Sequence, residues 1–490
     1  MTKNFKSLTI IAAMLIGMTA MAQSVSLNFE PQSKGLEKKN RLTYVGSNGQ
    51  SVVFKQLMGL LGTSEELVSY DLNQKEQGRV KFDNIKVTGT PVIQLREAIV
   101  NGDKLDIIAT TDKDNKYLVY HEQRDIKTLN TIGERQVLAS FDDSKDDNHF
   151  CFTAQSPNGQ LVGVATIKLE KNFDATVRAT LYSRQMEEYW SMEVPAHGFG
   201  SILVTDDGDI VLSGITVKDN RATVQMSVTD GENSEKYLFN YPAEGMLLEY
   251  SPARYDDGQL LLVATMRENS KSIMPVGSNI DCVDAITCNT KDNTIQRDRH
   301  HFSSEERCIM DNKKGKKAQT DWIDFGNLVQ VIGDKEGAFV VIDKTWSTYR
   351  DGSLAYRQRS GMMVLRIGKD GLFKWGRAER HSAFANGMYI NWIDYRWEPT
   401  SEGIMLAWTT NQSDISVKGT DKPVKGTKNF GKKANLSVVT LDREGNKRQT
   451  DFNIGKQAIF SHAWHLDENN WLVLVSSNGA GAFGKLNISF

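Results

Sequence analysis

Short apolar runs, each preceded by a turn signature, recur along the chain. The turns begin at Ser47 (Ser-Asn-Gly), Asn101 (Asn-Gly-Asp), Ser156 (Ser-Pro-Asn-Gly), Asp206 (Asp-Asp-Gly), Asp256 (Asp-Asp-Gly), Asp334 (Asp-Lys-Glu-Gly), Thr400 (Thr-Ser-Glu-Gly) and Asp467 (Asp-Glu-Asn-Asn). Successive starts lie 50 to 78 residues apart. Asn-Gly and Asp-Gly supply the positive φ that a tight hairpin turn needs. The runs that follow, such as Ile210-Val-Leu, Leu260-Leu-Leu-Val, Phe339-Val-Val-Ile and Trp471-Leu-Val-Leu-Val, are apolar at consecutive positions. They are too short for helices and bounded by turns, so they predict strands buried on both faces.

An apolar strand precedes each turn, as in Ser201-Ile-Leu-Val and Asn327-Leu-Val-Gln-Val-Ile. A more polar hairpin follows most runs. Val224–Val228 turns at Asp230-Gly231 and returns through Tyr237–Phe239, and Met363–Ile367 turns at Asp370-Gly371 and returns through Phe373–Trp375. The repeating unit is therefore a four-stranded sheet that cannot bury both faces alone. Units of this length packed around a ring predict an all-β fold, a β-propeller. The count is eight blades, or seven if the Ser47 unit is an irregular cap. Only Phe483–Phe490 remains for the last outer hairpin, so Ser24–Phe29 is expected to supply the missing strand and close the ring through both termini. A single β-sandwich seldom uses a chain of this length. An outer-membrane barrel requires polar–apolar alternation over about 10 residues, which the inner runs lack.

Composition narrows the class. Fifty-nine Lys and Arg against 61 Asp and Glu give a net charge of -2, which argues against nucleic acid as a partner. Residues 301–490 carry a balance of +6 and residues 1–300 one of -8, so one arc of the ring is the more positive. Lys3 and Lys6, the apolar run Leu8–Met18 and the A-x-A site Ala20-Met21-Ala22 form a signal peptide over residues 1–22. The apolar run falls short of the roughly 20 residues of a transmembrane helix. The expected layout is one propeller domain over 23–490, with insertions at about 268–322 and 411–433. The expected location is periplasmic, outer-membrane-associated or extracellular. Outside the cytosol the four cysteines, Cys151, Cys282, Cys288 and Cys308, read as disulfide candidates, with at least one bridge among the last three. A metal site using His300 and His301 between Cys288 and Cys308 is the alternative, but the spacing fits no common zinc pattern.

Other motifs carry less. Gly479-Ala-Gly-Ala-Phe-Gly484 matches G-x-G-x-x-G, but no helix can follow in the remaining six residues, so no nucleotide site is expected. Asp142, Ser144 and Asp146 could ligate Ca²⁺ through alternate oxygens, although the loop lacks the glycine and distant glutamate of a calcium loop. No other cofactor is indicated. Tyr389–Trp397 and the strand holding His462, Trp464 and His465 read as innermost strands of successive units. Trp392, Asp394, Arg396, His462 and Trp464 are therefore the ligand-binding candidates at the channel mouth.

The repeat resembles secreted bacterial β-propellers built from repeats ending in D-x-x-G plus a strand. The likeness spans nearly the whole mature chain and is one of architecture, so it transfers no catalytic residue. The expected function is a non-catalytic binding or scaffold propeller that engages an envelope protein or glycan. A carbohydrate-active enzyme working at the channel mouth is the alternative, and it requires two facing carboxylates.

Overall fold

The computed structural model describes residues 24–29, 42–58, 64–72, 75–83, 93–113, 115–142, 148–169, 175–195, 200–218, 221–256, 258–268, 279–311, 322–324, 326–350, 353–386, 395–411, 434–455, 458–467, 469–477 and 480–489. The first strand, β1 (Ser24–Phe29), waits for a partner from the far end of the chain. Blade 1 is β2 (Leu42–Ser47), β3 (Ser51–Met58), β4 (Ser64–Asp71) and β5 (Glu76–Asp83), and blade 2 is β6 (Ile93–Asn101), β7 (Lys104–Lys113), β8 (Lys116–Asp125) and β9 (Thr131–Asp142). Blade 3 is β10 (Asn148–Gln155), β11 (Leu161–Leu169), β12 (Ala175–Ser183) and β13 (Glu188–Val194). Blade 4 is β14 (Ser201–Val204), β15 (Ile210–Lys218), β16 (Arg221–Thr229) and β17 (Tyr237–Pro242). Blade 5 is β18 (Met246–Asp256), β19 (Gln259–Arg267), β20 (Cys282–Asn289) and β21 (Thr294–His301), after which comes a short helix, α1 (Ser304–Met310). Blade 6 is β22 (Gly326–Asp334), β23 (Gly337–Arg350), β24 (Ser353–Gly368) and β25 (Phe373–Asn386). Blade 7 is β26 (Tyr395–Pro399), β27 (Gly403–Asn411), β28 (Ala434–Asp442) and β29 (Lys447–Gly455). Blade 8 is β30 (Ala458–Asp467), β31 (Asn470–Ser477) and β32 (Ala480–Ser489), with β1 as its outermost strand. The chain is an eight-bladed β-propeller, and the Ser47 unit is a complete blade.

The cores explain the doubly apolar runs. Successive residues of a strand point to opposite faces, and each second strand lies between two neighbouring sheets. In β7, Ile107 joins a core shared with Val53 and Leu67 of blade 1, while Ile108 joins one shared with Val162 and Val164 of blade 3. In β19, Leu260 and Leu262 face blade 4, while Leu261 and Val263 face Val340 and Ile342 of blade 6. The same split recurs between blades 3 and 4, 6 and 7, and 7 and 8. The last core joins Leu472 and Phe483 of blade 8 to Val52, Phe54, Val68 and Tyr70 of blade 1. There Phe54 and Phe483 stack with ring centroids 5.9 Å apart.

Closure also follows the expected pairing. β1 runs antiparallel to β32 from Ser24 opposite Ser489 to Phe29 opposite Gly484. In blades 4 and 7 the outer turn locks the blade to the one before it. Gly231, at φ 85°, turns β16 into β17 where a Cβ would come within 2.5 Å of Trp190 on blade 3. Gly445, at φ 83°, packs in the same way on Trp375 of blade 6, whose Nε1 donates to Arg443 O (2.8 Å).

Two expectations need correction. Residues 268–322 are not wholly an insertion, because they contain β20 and β21, the outer strands of blade 5. β21 reads Thr-Ile-Gln-Arg-Asp-Arg-His-His and is largely exposed, so it shows no apolar pattern. The disulfide candidates Cys151, Cys282, Cys288 and Cys308 are free, buried thiols. Cys282 and Cys288 stand at opposite ends of β20, roughly 20 Å apart along the strand, far beyond the reach of a disulfide. Cys151 belongs to the core between blades 2 and 3, and Cys308 to α1. Among the described residues no helix is long and apolar enough to cross a membrane.

Candidate binding face

Antiparallel order within a blade puts the first-to-second and third-to-fourth turns on one face of the ring. The second-to-third and blade-to-blade connections open on the other. On the first face the turns are tight and their polar groups engage one another. Asn48 Nδ2 donates to Asp103 Oδ1 of blade 2 (2.8 Å), and the Asn158 N–H donates to Asp206 Oδ1 of blade 4 (2.9 Å). Arg366 clamps Asp334 through two hydrogen bonds (3.1 and 3.0 Å), and Arg443 of blade 7 reaches the same carboxylate (3.4 Å). The strand ends that flank the lysine-rich residues 412–433 open on the second face, as do those on either side of α1. A capping box starts this helix. Ser303 Oγ accepts from the Glu306 N–H (3.1 Å), and Glu306 Oε2 accepts from the Ser303 N–H (2.7 Å). Met310 is buried against blade 6, where a Cβ on Gly361 would lie 2.6 Å from Met310 Cα.

Among the described residues, the three outer strands of blade 6 run on past its innermost strand on this face. β22 pairs with β23 only as far as Gly326 opposite Lys344. β23 and β24 continue to pair to Arg350 opposite Ser353, and β24 and β25 to Tyr356 opposite Asn386. At about 3.3 Å per residue the ribbon extends roughly 20 Å past the ring. Trp346, Gln358 and Phe384 occupy directly opposed positions across its three strands, as do Thr345, Arg359 and Ala383.

Near the same face the innermost strands carry a repeated bulge. One residue slips out of register at Val45 in β2, Arg96 in β6, Leu248 in β18, Val329 in β22 and Ser461 in β30. A bulge re-aims the residues beside it. The next residue is Glu97 in blade 2, Glu249 in blade 5, Gln330 in blade 6 and His462 in blade 8. Glu97 accepts from Thr153 Oγ1 (3.1 Å) and Gln155 Nε2 (3.4 Å) of blade 3. Burial raises its carboxyl above the ordinary glutamate value, against the pull of these bonds. Glu249 Oε2 accepts from the Leu328 N–H of blade 6 (2.6 Å). Burial raises it as well, the Leu328 bond lowers it, and the neighbouring Asp343 carboxylate raises it further. Asp343 is itself held by Asn327 Nδ2 (3.0 Å) and Thr345 Oγ1 (2.8 Å).

The outer half of blade 5 holds a buried charge network. The Asp284 carboxylate, fully enclosed, accepts from Arg299 Nε (2.6 Å), Arg299 Nη2 (2.7 Å) and the Tyr241 hydroxyl of blade 4 (2.7 Å). Burial, then the Asp284 charge, raises the Tyr241 phenol. Arg299 Nη1 also donates to Glu268. Burial pushes the nearby Cys282 thiol up to about 12. A groove of ≈ 500 Å³ runs between α1, the Trp375–Ala378 stretch of β25 and the turn at Glu444-Gly445.

Of the ligand-binding candidates, Trp392 and Asp394 lie outside the described residues. Arg396 is on β26, opposite Ala407, and His462 and Trp464 are on β30, opposite Leu474 and Leu472. β26 and β30 are adjacent innermost strands, so these positions lie on neighbouring strands. For the calcium reading, Asp142 ends β9, while Ser144 and Asp146 lie outside the described residues. Cys288, His300 and Cys308 join no group of three potential metal ligands among the described residues. Of the G-x-G-x-x-G glycines, Gly481 and Gly484 lie within strand β32, opposite Ser476 and Val473, and Gly479 lies outside the described residues. The blade 6 ribbon has one local sequence signal, the turn pair Asp351-Gly352.

No protein-family model matches the chain, and no curated protein matches it. Among solved structures the chain is similar to the Dos1 propeller, at 10% identity, covering 94% of each chain with a TM-score of 0.42. It is also similar to an oligogalacturonate lyase in complex with manganese, at 10% identity, covering 95% of this chain and 97% of that one with a TM-score of 0.37. A third is the β-propeller domain of the trilobed protease from Pyrococcus furiosus, at 11% identity, covering 79% and 92% with a TM-score of 0.35. The functions of these proteins differ, and likeness at this level does not bear on activity.

Proposed function

We propose that the chain is exported by residues 1–22 and works as a non-catalytic binding propeller of the bacterial envelope or extracellular space. The partner is a protein or glycan, taken on the face where the long connections open. The observation that carries this reading is the blade 6 ribbon, a three-stranded extension on that face that the packing of the ring does not require. Trp346, Tyr356 and Phe384 beside Arg357 and Arg359 give it the residue types that dominate binding hot spots. The positive balance of residues 301–490 favours an anionic partner. The test shortens the ribbon by joining Thr345 to Arg359 through Asn-Gly, leaving the ring pairs intact. Immobilised mature protein is expected to retain a defined partner from an envelope fraction, less so at high salt, and the shortened variant to lose it. Equal retention by both would contradict the reading. A second reading, an enzyme acting on carbohydrate, draws on Glu249 and Asp343, two neighbouring carboxyl groups of which Glu249 is raised. It requires that the Glu249→Gln protein lose a turnover that the ribbon-shortened protein keeps.

A further inference from the structure

Three donor atoms of different chemistry meet where the outer half of blade 5 opens onto the long-connection face. Cys282, the first residue of β20, lies directly opposite His301, the last residue of β21. Glu268 follows the last residue of β19, and its N–H donates to Asp281 Oδ2 (3.0 Å), which holds it beside the start of β20. Cys282 Sγ, a Glu268 carboxylate oxygen and a His301 ring nitrogen all lie within 4.8 Å of one another. His301 Nε2 is 3.1 Å from Glu268 Oε2, and Arg299 holds Glu268 Oε1.

We propose that Cys282, His301 and Glu268 form a binding site for a borderline-soft divalent cation of the zinc type. Thiolate, imidazole and carboxylate are the donors such an ion takes, and three protein ligands leave its fourth tetrahedral position to solvent. Bond lengths of about 2.0–2.3 Å put tetrahedral ligands roughly 3.5 Å apart, so the donors must close by about 1 Å. The side chains that must move are the accessible ones. His301 is 59% and Glu268 31% exposed, while Cys282 is the buried, fixed member. The cation takes the place of the hydrogen bond between His301 Nε2 and Glu268 Oε2. Glu268 Oε1 stays on Arg299, which is fixed in turn by Asp284, an outer partner that orients the ligand. Binding forms a metal–sulfur bond and releases the thiol proton to solvent, and the thiolate and carboxylate together balance the ion's charge. The binding face described above does not depend on this site.

The test titrates the full mature protein with cobalt(II) alone. One equivalent is expected to give a thiolate-to-cobalt charge-transfer band in the near ultraviolet, which zinc(II) then bleaches by displacement. Cys282→Ser is expected to abolish the band. His301→Ala, at an exposed position that leaves the fold intact by circular dichroism, is expected to weaken binding at least tenfold. A wild-type protein with no such band, a band that survives Cys282→Ser, or affinity unchanged by His301→Ala would each overturn the proposal.

Discussion

A mature chain that lacks Ser24–Phe29 is expected to lose about 5 kcal/mol of stability. The segment supplies the outermost strand of blade 8, paired residue for residue with Phe29↔Gly484 through Ser24↔Ser489. A six-residue ladder whose bonds are each worth about 0.5–1.5 kcal/mol sets the scale. Leu27 adds packing against the core shared by blades 7 and 8, which contains Leu486 and Ile488. Its removal also leaves β32 as an open edge, so the truncated protein is expected to self-associate. Urea unfolding followed by fluorescence, with size-exclusion chromatography, checks both effects. Peptide 24–29 added in trans should raise the midpoint in a concentration-dependent way, because it binds only the folded ring. A truncated chain that unfolds at the wild-type midpoint would mean that the strand does not close the ring.

Asp284→Ala is expected to cost about 3–5 kcal/mol, because it strands a charge that the fold has enclosed. The carboxylate accepts from two nitrogens of Arg299 and from the Tyr241 hydroxyl, and none of its surface reaches water. Without it, Arg299 keeps only Glu268 among these partners and Tyr241 loses its acceptor. The double replacement Asp284→Leu with Arg299→Met removes the stranded charge as well as its partner, and most of the loss should return. Urea midpoints at constant m-value measure the single and double changes on one scale. A single substitution costing less than about 1 kcal/mol would show that the network is wetter than its geometry implies.

The ring was legible because its inner hairpins carry two redundant signals. All eight inner turns fall where Asn-Gly, Asp-Gly or an equivalent pattern stands, and Gly49, Gly102, Gly208 and Gly258 take positive φ there. The runs after them are apolar on both faces because two neighbouring blades cover them. Outer strands lack this second signal. β9 is exposed over Thr131–Val137 and β21 over Thr294–Arg299 is largely so, which is why residues 268–322 read as an interruption rather than as two strands. The blade 6 ribbon is hidden for a different reason: after Ile342 the residues Asp-Lys-Thr-Trp-Ser-Thr-Tyr-Arg are neither continuously apolar nor alternating, and only the pair Asp351-Gly352 signals a hairpin. The blade 5 cluster has no spacing motif at all. Glu268, Cys282 and His301 meet only because the turn after Asn289 sets a register in which Cys282 faces His301. The carboxyl groups of Glu97 and Glu249 owe their positions to bulges, and nothing in the local residue pattern specifies those.

The most direct measurement of ring closure uses a covalent staple between the two ends of the chain. Ser26 and Asn487 are Cα partners across β1 and β32, and antiparallel partners lie about 4.5–5.5 Å apart, within disulfide range. With Ser26→Cys and Asn487→Cys introduced together, oxidation should produce a monomer that migrates as a closed loop on a non-reducing gel and reverts on reduction. If both introduced thiols stay reactive in the folded protein, or bridge only between molecules, the termini do not meet and the eight-bladed ring is wrong.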